Sequence, residues 1–214
     1  MSENDSGTTG QTRRQTLKYG GTLAATLGLA GCSDLGGSSN ETPTGTGSSY
    51  TVTMEPMGEV SFDQVPEQWV PYGGDYADMG VALGQASGMV GIGQAGEYYT
   101  DEYDELSGVS VDRSPIEEND LVEAGMTKEL FYEMDADVHL IDTGMLRNWF
   151  DWTDADIEEI RDNVAPFVGN MIFRRSDSWH DYRYYTLYQA FERIATLFQQ
   201  RDRYEAFSEL HEEY

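Results

Sequence analysis

The chain has 214 residues, of which 39 are acidic and 13 are lysine or arginine, giving a formal net charge of -26. This acidity excludes nucleic acid and anionic lipid surfaces as partners, because both would be repelled. Aromatic residues make up 12% of the chain, which favours a folded protein over a disordered acidic chain. Acidic self-repulsion is screened in concentrated salt, where the Debye length falls to about 3 Å. The composition therefore predicts a halophilic protein.

The first 31 residues follow the order of an export signal. Arg13 and Arg14 stand together in a basic segment, residues 19–30 are uncharged, and the segment ends in Leu-Ala-Gly-Cys at Cys32. The apolar part is shorter than the roughly 20 residues that a membrane-spanning helix needs, so a targeting segment is indicated. It resembles a twin-arginine lipoprotein signal, in which residues 1–31 are removed and Cys32 is acylated. A buried N-terminal helix is the alternative.

Cys32 is the only cysteine in the sequence, so neither a disulfide bond within the chain nor a cysteine metal site can form. Residues 32–49 are rich in glycine, serine and threonine, which is typical of a flexible linker. We expect a disordered tether that holds the protein at the outer face of the cytoplasmic membrane. Asn40 begins a glycosylation sequon, a triplet that is common by chance.

Folded structure is predicted to begin at Tyr50. Residues 50–54 alternate between polar and apolar side chains, as expected of an edge strand, and residues 69–72 form a second short strand. Asp75 is positioned to cap a helix over residues 76–83. Residues 89–93 form a third predicted strand.

The same alternation of strand and helix continues. A helix is predicted over residues 128–134, and residues 138–142 are the clearest buried strand. A second helix is expected over residues 153–163, opened by the Thr-x-x-Asp pattern of a capping box, and residues 164–168 form the next strand. Strands and helices that alternate at these intervals predict an α/β fold with a parallel sheet covered on both faces.

The last part of the chain has a different pattern. Residues 50–181 form the predicted α/β lobe, whereas residues 182–214 carry two apolar helical stripes. The phase of the stripes slips across residues 199–202, which predicts two helices or a kink. The pattern stops at Tyr214 without a capping signal, so we expect a chain truncated before a further lobe.

Three features stand in a recognisable order. A lipoprotein signal and a tether precede residues 69–93, which include Ala-Leu-Gly at 82–84 and Met-Val-Gly-Ile at 89–92. Residues 129–141 then place a helix before the strand Asp-Val-His-Leu-Ile. This order resembles that of the solute-binding lipoproteins of ABC importers, of the iron-siderophore and cobalamin type. Together with the acidic composition, it resembles a haloarchaeal member of that family. Ala136 stands where that family usually has proline.

The resemblance implies the N-terminal lobe of a two-lobed periplasmic-binding-protein-like fold, ending in an interlobe helix. It implies a lipid-anchored, extracytoplasmic protein that captures a ferric siderophore or a related iron chelate for an ABC permease. Neither a cofactor nor catalysis is implied. Two alternatives stay open. One is a direct metal-ion or other-solute receptor of the same fold, and the other is a surface-anchored enzyme whose catalytic half lies beyond residue 214.

Ligands of open α/β sheets approach the carboxyl ends of the strands, which here are residues 72–76, 94–99, 142–149 and 169–180. Arginine pairs with carboxylates, and aromatic rings stack on flat catecholate or hydroxamate groups. Ordinary structural roles are the alternative, since arginines also neutralise nearby acids and half-buried tyrosines are common. The predicted ligand-binding residues are Tyr72, Asp75, Tyr76, Tyr98, Tyr99, Arg147, Trp149, Arg174, Arg175 and Trp179.

Direct metal binding is a weaker prediction. His180 is the best candidate among the histidines, because His139 lies in a predicted core strand, where we expect a satisfied core residue, and His211 lies on a charged helix. Ferric iron prefers hard oxygen donors, which the sequence offers at Tyr98, Tyr99, Asp101 and Glu102.

Catalytic motifs are missing from the sequence. It contains no nucleophile elbow, no P-loop and no pair of histidines at helical metal-binding spacing. Glycines at positions 88, 91 and 93 reverse the order of a dinucleotide-binding fingerprint, and we expect close packing of strands to account for them.

Overall fold

The computed structural model describes residues 49–172 and 178–213. The export signal and tether, with Arg13, Arg14, Cys32 and Asn40, lie outside the described residues. No helix in the described part is long and apolar enough to cross a membrane. The elements are β1 (Tyr50–Met54), β2 (Gly58–Phe62), β3 (Trp69–Pro71), α1 (Gly74–Ala82), α2 (Ser114–Glu118), α3 (Lys128–Met134), β4 (Val138–Leu140), α4 (Thr143–Trp149), α5 (Asp154–Asn163), α6 (Leu187–Leu197) and α7 (Arg201–Glu212).

The centre of the fold is the parallel pair of β3 and β4, in which Trp69 faces Val138 and Pro71 faces Leu140. Successive residues of these strands point to opposite sides of the sheet. Trp69 and Leu140 belong to one apolar cluster, shared with β1, α1 and α6. Val70 and Ile141 belong to a second cluster, shared with α3 and α5. The predicted α/β class, with a parallel sheet covered on both faces, is therefore confirmed.

Two predicted strands are reduced to parallel bridges beside this pair. Residues 89–93 lie next to β3, where the amide of Gly93 donates to the carbonyl of Pro71 at 2.9 Å. Residues 164–168 lie next to β4, where the amide of Val168 donates to the carbonyl of His139 at 2.8 Å. Glycine weakens a strand and proline lacks an amide hydrogen, so Gly91, Gly93 and Pro166 keep the ladders short.

The glycines of the 88–93 segment serve close packing, as predicted. A Cβ atom at Gly88 would lie 2.2 Å from the carbonyl oxygen of Glu67, and one at Gly93 would lie 2.3 Å from that of Tyr72. Both distances are far below van der Waals contact. Only glycine at these two positions therefore lets the segment approach β3 and the residues beside it this closely.

Helix starts follow the sequence signals in part. Thr153 and Asp156 form the reciprocal capping box at the start of α5, as predicted. Asp75 is not the cap of α1, because the helix begins at Gly74, two residues earlier than predicted, and Gly73 takes the N-cap position. The Asp75 carboxylate instead accepts from the neighbouring amide of Tyr76 at 2.9 Å.

Three elements were not predicted, of which helix α2 is a short helix of five residues. Strand β2 pairs with β1 in an antiparallel hairpin, with Tyr50 opposite Phe62 and Met54 opposite Gly58. Helix α4 occupies the segment after β4 that the sequence indicated only as a loop.

Residues 182–213 contain two helices, as predicted. Helix α6 ends near residue 198, and Gln199 adopts a left-handed backbone conformation with φ of 53° before α7 begins. Helix α6 buries Phe191 and Ile194 in the same cluster as Trp69. Helix α7 has no buried residue, and Phe207 and Leu210 are exposed on it. The division of the chain at residue 181, and a role of these helices between two lobes, stay predictions.

Candidate ligand-binding site

Asp142 joins the elements that meet at the carboxyl end of β4. It is 3% exposed, and its Oδ1 caps α4 by accepting from the amides of Gly144 at 2.7 Å and Met145 at 3.4 Å. Its Oδ2 accepts from the amide of Met171 at 3.0 Å and from the hydroxyl of Tyr182 at 2.7 Å. Burial raises the pKa of this carboxyl, and these hydrogen bonds oppose the shift.

Aromatic side chains continue across this edge as a chain of ring contacts, which we call the aromatic strip. Its ring centroids are separated by 6.4 Å from Tyr72 to Trp149, 6.3 Å from Trp149 to Trp179 and 4.6 Å from Trp179 to His180. The ring of Tyr182 stacks on His180 at 3.9 Å. Trp149 is 36% exposed, so the strip is accessible from solvent. The strip joins Tyr72, Trp149 and Trp179, three of the predicted ligand-binding residues.

The strip rests against Gly144 in the first turn of α4. A Cβ atom there would lie 2.9 Å from the Tyr182 hydroxyl and 3.0 Å from the Trp179 ring. We expect Gly144→Ala to push both rings outward and to lower the free energy of unfolding by about 1–3 kcal/mol, the usual cost of overpacking. Near-ultraviolet circular dichroism and the tryptophan emission maximum report the displacement.

Gly96→Ala is the matched control, because a Cβ atom at Gly96 has no neighbour within 4 Å. We expect its spectra to match those of the unsubstituted chain. If Gly144→Ala also leaves both spectra unchanged, the packing of the strip against α4 is wrong.

A pocket of 240 Å³ opens beside Tyr72, at the start of α1. The residues that line it are Tyr72, Gly73, Gly74, Asp75, Gln94 and Glu97. They come from the segments that follow β3 and residues 89–93. The pocket therefore lies at the edge where the strand order predicts a ligand.

Tyr76, one of the predicted ligand-binding residues, has a buried side chain that is 3% exposed. Its hydroxyl donates to the carbonyl of Asn170 and accepts from the amide of Asn170, each at 2.9 Å. Burial raises the pKa of Tyr76 well above its ordinary value. Tyr76 thus fixes the 169–171 loop from beneath the site rather than facing solvent.

Tyr98 and Tyr99 have opposite surroundings. The side chain of Tyr98 is 3% exposed and belongs to the core cluster that contains Trp69, whereas Tyr99 is 73% exposed. Both line a second pocket beside α1, together with Glu102 and Tyr103. The structure thus brings together three of the four oxygen donors proposed for ferric iron, without Asp101 among the lining residues.

The predicted arginines are only partly covered by the structure. Nε of Arg147 lies 2.7 Å from Oδ1 of Asp154 in an exposed ion pair. Arg147 also lines a groove of 470 Å³ between the β1–β2 hairpin and α5, rather than the pocket beside Tyr72. Arg174 and Arg175 lie outside the described residues.

His180 is held among aromatic rings, and neither of its ring nitrogens has a hydrogen-bond partner or solvent access. Within residues 49–172 and 178–213, no group of three histidine, cysteine or acidic side chains is placed to hold a metal ion. The described part of the chain therefore offers no support for His180 as a metal ligand.

His139 lies in the core, as predicted, at 0% exposure between the rings of Phe131 and Phe167. Its ring nitrogens make no hydrogen bond of normal geometry, so the expectation of a satisfied histidine is wrong. Burial lowers the pKa of His139 to about 3, with the Ala165 backbone acting in the opposite direction. His211 is exposed on α7 and stacks on Tyr188.

No protein-family model matches the chain, and no curated protein matches it. Similar solved structures include SirA of Staphylococcus aureus complexed with staphyloferrin B, at 12% identity over 77% of this chain and 47% of SirA, with a TM-score of 0.46. The iron uptake ABC transporter substrate-binding protein PiuA of Streptococcus pneumoniae is 21% identical over 76% of this chain and 49% of PiuA, with a TM-score of 0.44. The siderophore-binding protein BauB, bound to acinetobactin and ferric iron, is 16% identical over 77% of this chain and 51% of BauB, with a TM-score of 0.47.

The chain spans about half the length of these proteins. Since none of the three TM-scores reaches 0.5, neither ligand nor partner follows from the likeness.

Proposed function

We propose that this chain supplies a ligand-binding lobe of an extracytoplasmic, lipid-anchored substrate-binding protein of an ABC importer. Its ligand is a ferric siderophore or a related iron chelate, delivered to a permease in the membrane. The observation that carries the proposal is the aromatic strip, which lies at the carboxyl edge of the parallel strands and is open to solvent at Trp149.

The chemistry of the strip suits such a ligand. Aromatic rings contribute large contact areas with few rotatable bonds, and they pack face or edge against flat groups. Catecholate and hydroxamate groups around a ferric ion are flat and partly aromatic. The hydroxyl of Tyr182 is fixed on Asp142 at 2.7 Å, so this ring is held in place before ligand arrives.

Binding to one lobe leaves the opposite face of a chelate uncovered, and we propose that a second lobe closes over it. The function of the protein is then to bind and release its ligand, not to catalyse a reaction. The anchor on Cys32 fits this task, because a net charge of -26 gives the protein no electrostatic hold on an anionic membrane. We further propose that it works in concentrated salt, where this charge is screened.

Tryptophan fluorescence tests the proposal on the full chain in concentrated potassium chloride. Trp149 and Trp179 lie in the strip, whereas Trp69 and Trp152 are buried in the two core clusters. We expect a ferric catecholate, a ferric hydroxamate or cobalamin to quench the first pair. Trp149→Ala should weaken binding about tenfold, which corresponds to the loss of about 1.4 kcal/mol.

Tyr132→Ala is the control, because it removes another exposed aromatic ring, on α3 and outside the strip. We expect its affinity to equal that of the unsubstituted chain. Free tryptophan in parallel titrations corrects for light absorbed by the chelates. Saturable quenching by bare ferric iron alone would favour a direct metal receptor instead, and no saturable response to any chelate would contradict the proposal.

A further inference from the structure

The second pocket beside α1 has a volume of 460 Å³ and a composition that the proposed function does not explain. It lies between the first turns of α1 and the segment 97–103. Tyrosine rings and carboxylates line it, chiefly Asp75, Asp78, Tyr98, Tyr99, Glu102 and Tyr103. Among the described residues that line it, none is basic. We call it the tyrosine–carboxylate pocket.

Asp75 is the unusual member of this pocket. Its Oδ1 accepts from the amide of Tyr76, but its Oδ2 is shielded from solvent and has no hydrogen-bond partner. Burial raises the pKa of this carboxyl to about 6, and the nearby charge of Asp78 acts in the same direction. Burying a carboxylate oxygen without a partner costs free energy, and no basic side chain of the described pocket lining offsets this cost.

Two tyrosines of the pocket, Tyr98 and Tyr103, are held by hydrogen bonds and keep their hydroxyl protons. Tyr103 donates a hydrogen bond to Asp78, and the hydroxyls of Tyr98 and Tyr103 lie 3.5 Å apart. Burial raises the pKa of Tyr98 to about 12 and also raises that of Tyr103. Neutral phenol rings attract cations through their π faces, as in the aromatic cages that bind quaternary ammonium groups.

The carboxylates of this pocket do not by themselves form a metal site. In the described ranges, no three acidic, histidine or cysteine side chains converge as metal ligands. The basic residue that contacts this region, Arg113, is already engaged, with its guanidinium 2.6 Å from the carbonyl of Tyr98 and 2.9 Å from Glu117. A bound cation would supply the positive charge that the described lining of this pocket lacks.

We propose that the tyrosine–carboxylate pocket binds an organic ammonium group, with Asp75 as its buried counter-charge. The group is carried either by the captured chelate, in which case the inference rests on the proposed function, or by a free quaternary ammonium compound. The pocket thereby selects cationic solutes, in contrast to the arginine-based selection of anionic chelates that the sequence suggested.

Paired ligands test this selection by titration calorimetry on the full chain in concentrated salt. The first pair is a ferric tris-hydroxamate with a pendant primary amine and its N-acetylated counterpart. The second pair is tetramethylammonium and its neutral isostere, tert-butanol. We expect the cationic member of at least one pair to bind about tenfold or more tightly than the neutral member.

Asp75→Asn should abolish that preference, because it removes the charge and keeps the shape. Asp104→Asn is the matched control, since it removes an exposed carboxylate close by in the chain that does not line the pocket. At pH 7.5, above the pKa of about 6, the buried Asp75 carboxylate is charged and destabilises the folded state. Asp75→Asn should therefore melt at a higher temperature than the unsubstituted chain. Such a result shows that the variant loses binding without losing its fold.

The outcomes separate the two proposals. If both chelates bind equally and tetramethylammonium does not bind, the ammonium site is wrong while chelate capture stands. If tetramethylammonium binds and no chelate does, the site stands and belongs to a free ammonium compound. A cation preference that survives in Asp75→Asn overturns the role of Asp75 and with it the inference.

Discussion

Replacing Asp142 with alanine is expected to lower the free energy of unfolding by about 3 kcal/mol and to disorganise the aromatic strip. The carboxylate caps α4, and loss of such a cap costs about 1 kcal/mol. It also accepts from the amide of Met171 and the hydroxyl of Tyr182, and each hydrogen bond to a charged group contributes about 1.5–3 kcal/mol. These losses overlap, because all the bonds share one side chain. Urea unfolding in constant concentrated salt measures the total.

Asp142→Asn separates the two roles of this residue. Its amide oxygen can still cap α4, but its amide nitrogen cannot accept from Met171 or Tyr182. We expect an intermediate loss of stability and the same change in the near-ultraviolet circular dichroism of the strip as in Asp142→Ala. If both variants keep the near-ultraviolet spectrum and affinity of the unsubstituted chain, Asp142 does not organise the site.

Local signals were sufficient where a few neighbouring residues decide the structure. The capping box of Thr153 and Asp156 and the change of phase before Arg201 were both visible in the sequence. Strand β2 was not, because only Val60 and Phe62 mark it and pairing with β1 creates it. Helix α4 was missed because Gly144 and Asn148 have low helix propensity, while the cap of Asp142 and the burial of Met145 stabilise it.

The candidate site shows the same limit. The rule that ligands approach the carboxyl ends of strands predicted the neighbourhood of Tyr72, Trp149 and Trp179. It could not reveal that Tyr76 turns inward to bond Asn170, a residue 94 positions away in sequence. The role of Tyr182, which lies 40 positions after Asp142, was missed for the same reason. The available signal was Asp142 as the last residue of the predicted strand over residues 138–142, since an aspartate at such a position often caps the next helix.

Acid should destabilise this protein more steeply than its carboxylates alone would cause, because His139 must stay neutral in the core. Its pKa is lowered to about 3 in the folded state, against about 6.5 in an unfolded chain. Above pH 6.5 both states hold the neutral ring, and nothing is lost. Between pH 6.5 and 3 only the unfolded state binds the proton, so the folded state loses about 1.4 kcal/mol per pH unit.

His139→Leu should remove this contribution, since leucine fills a similar volume between Phe131 and Phe167 without titrating. Relative to the unsubstituted chain, we expect it to gain about 3 kcal/mol on going from pH 7.5 to pH 4.5, by urea unfolding in constant salt. His211→Gln, on the exposed face of α7, serves as the control for the loss of a histidine. Because every carboxylate is common to the three chains, their titration cancels in the comparison. Equal pH slopes for His139→Leu and the unsubstituted chain would show that His139 takes up its proton without unfolding the core.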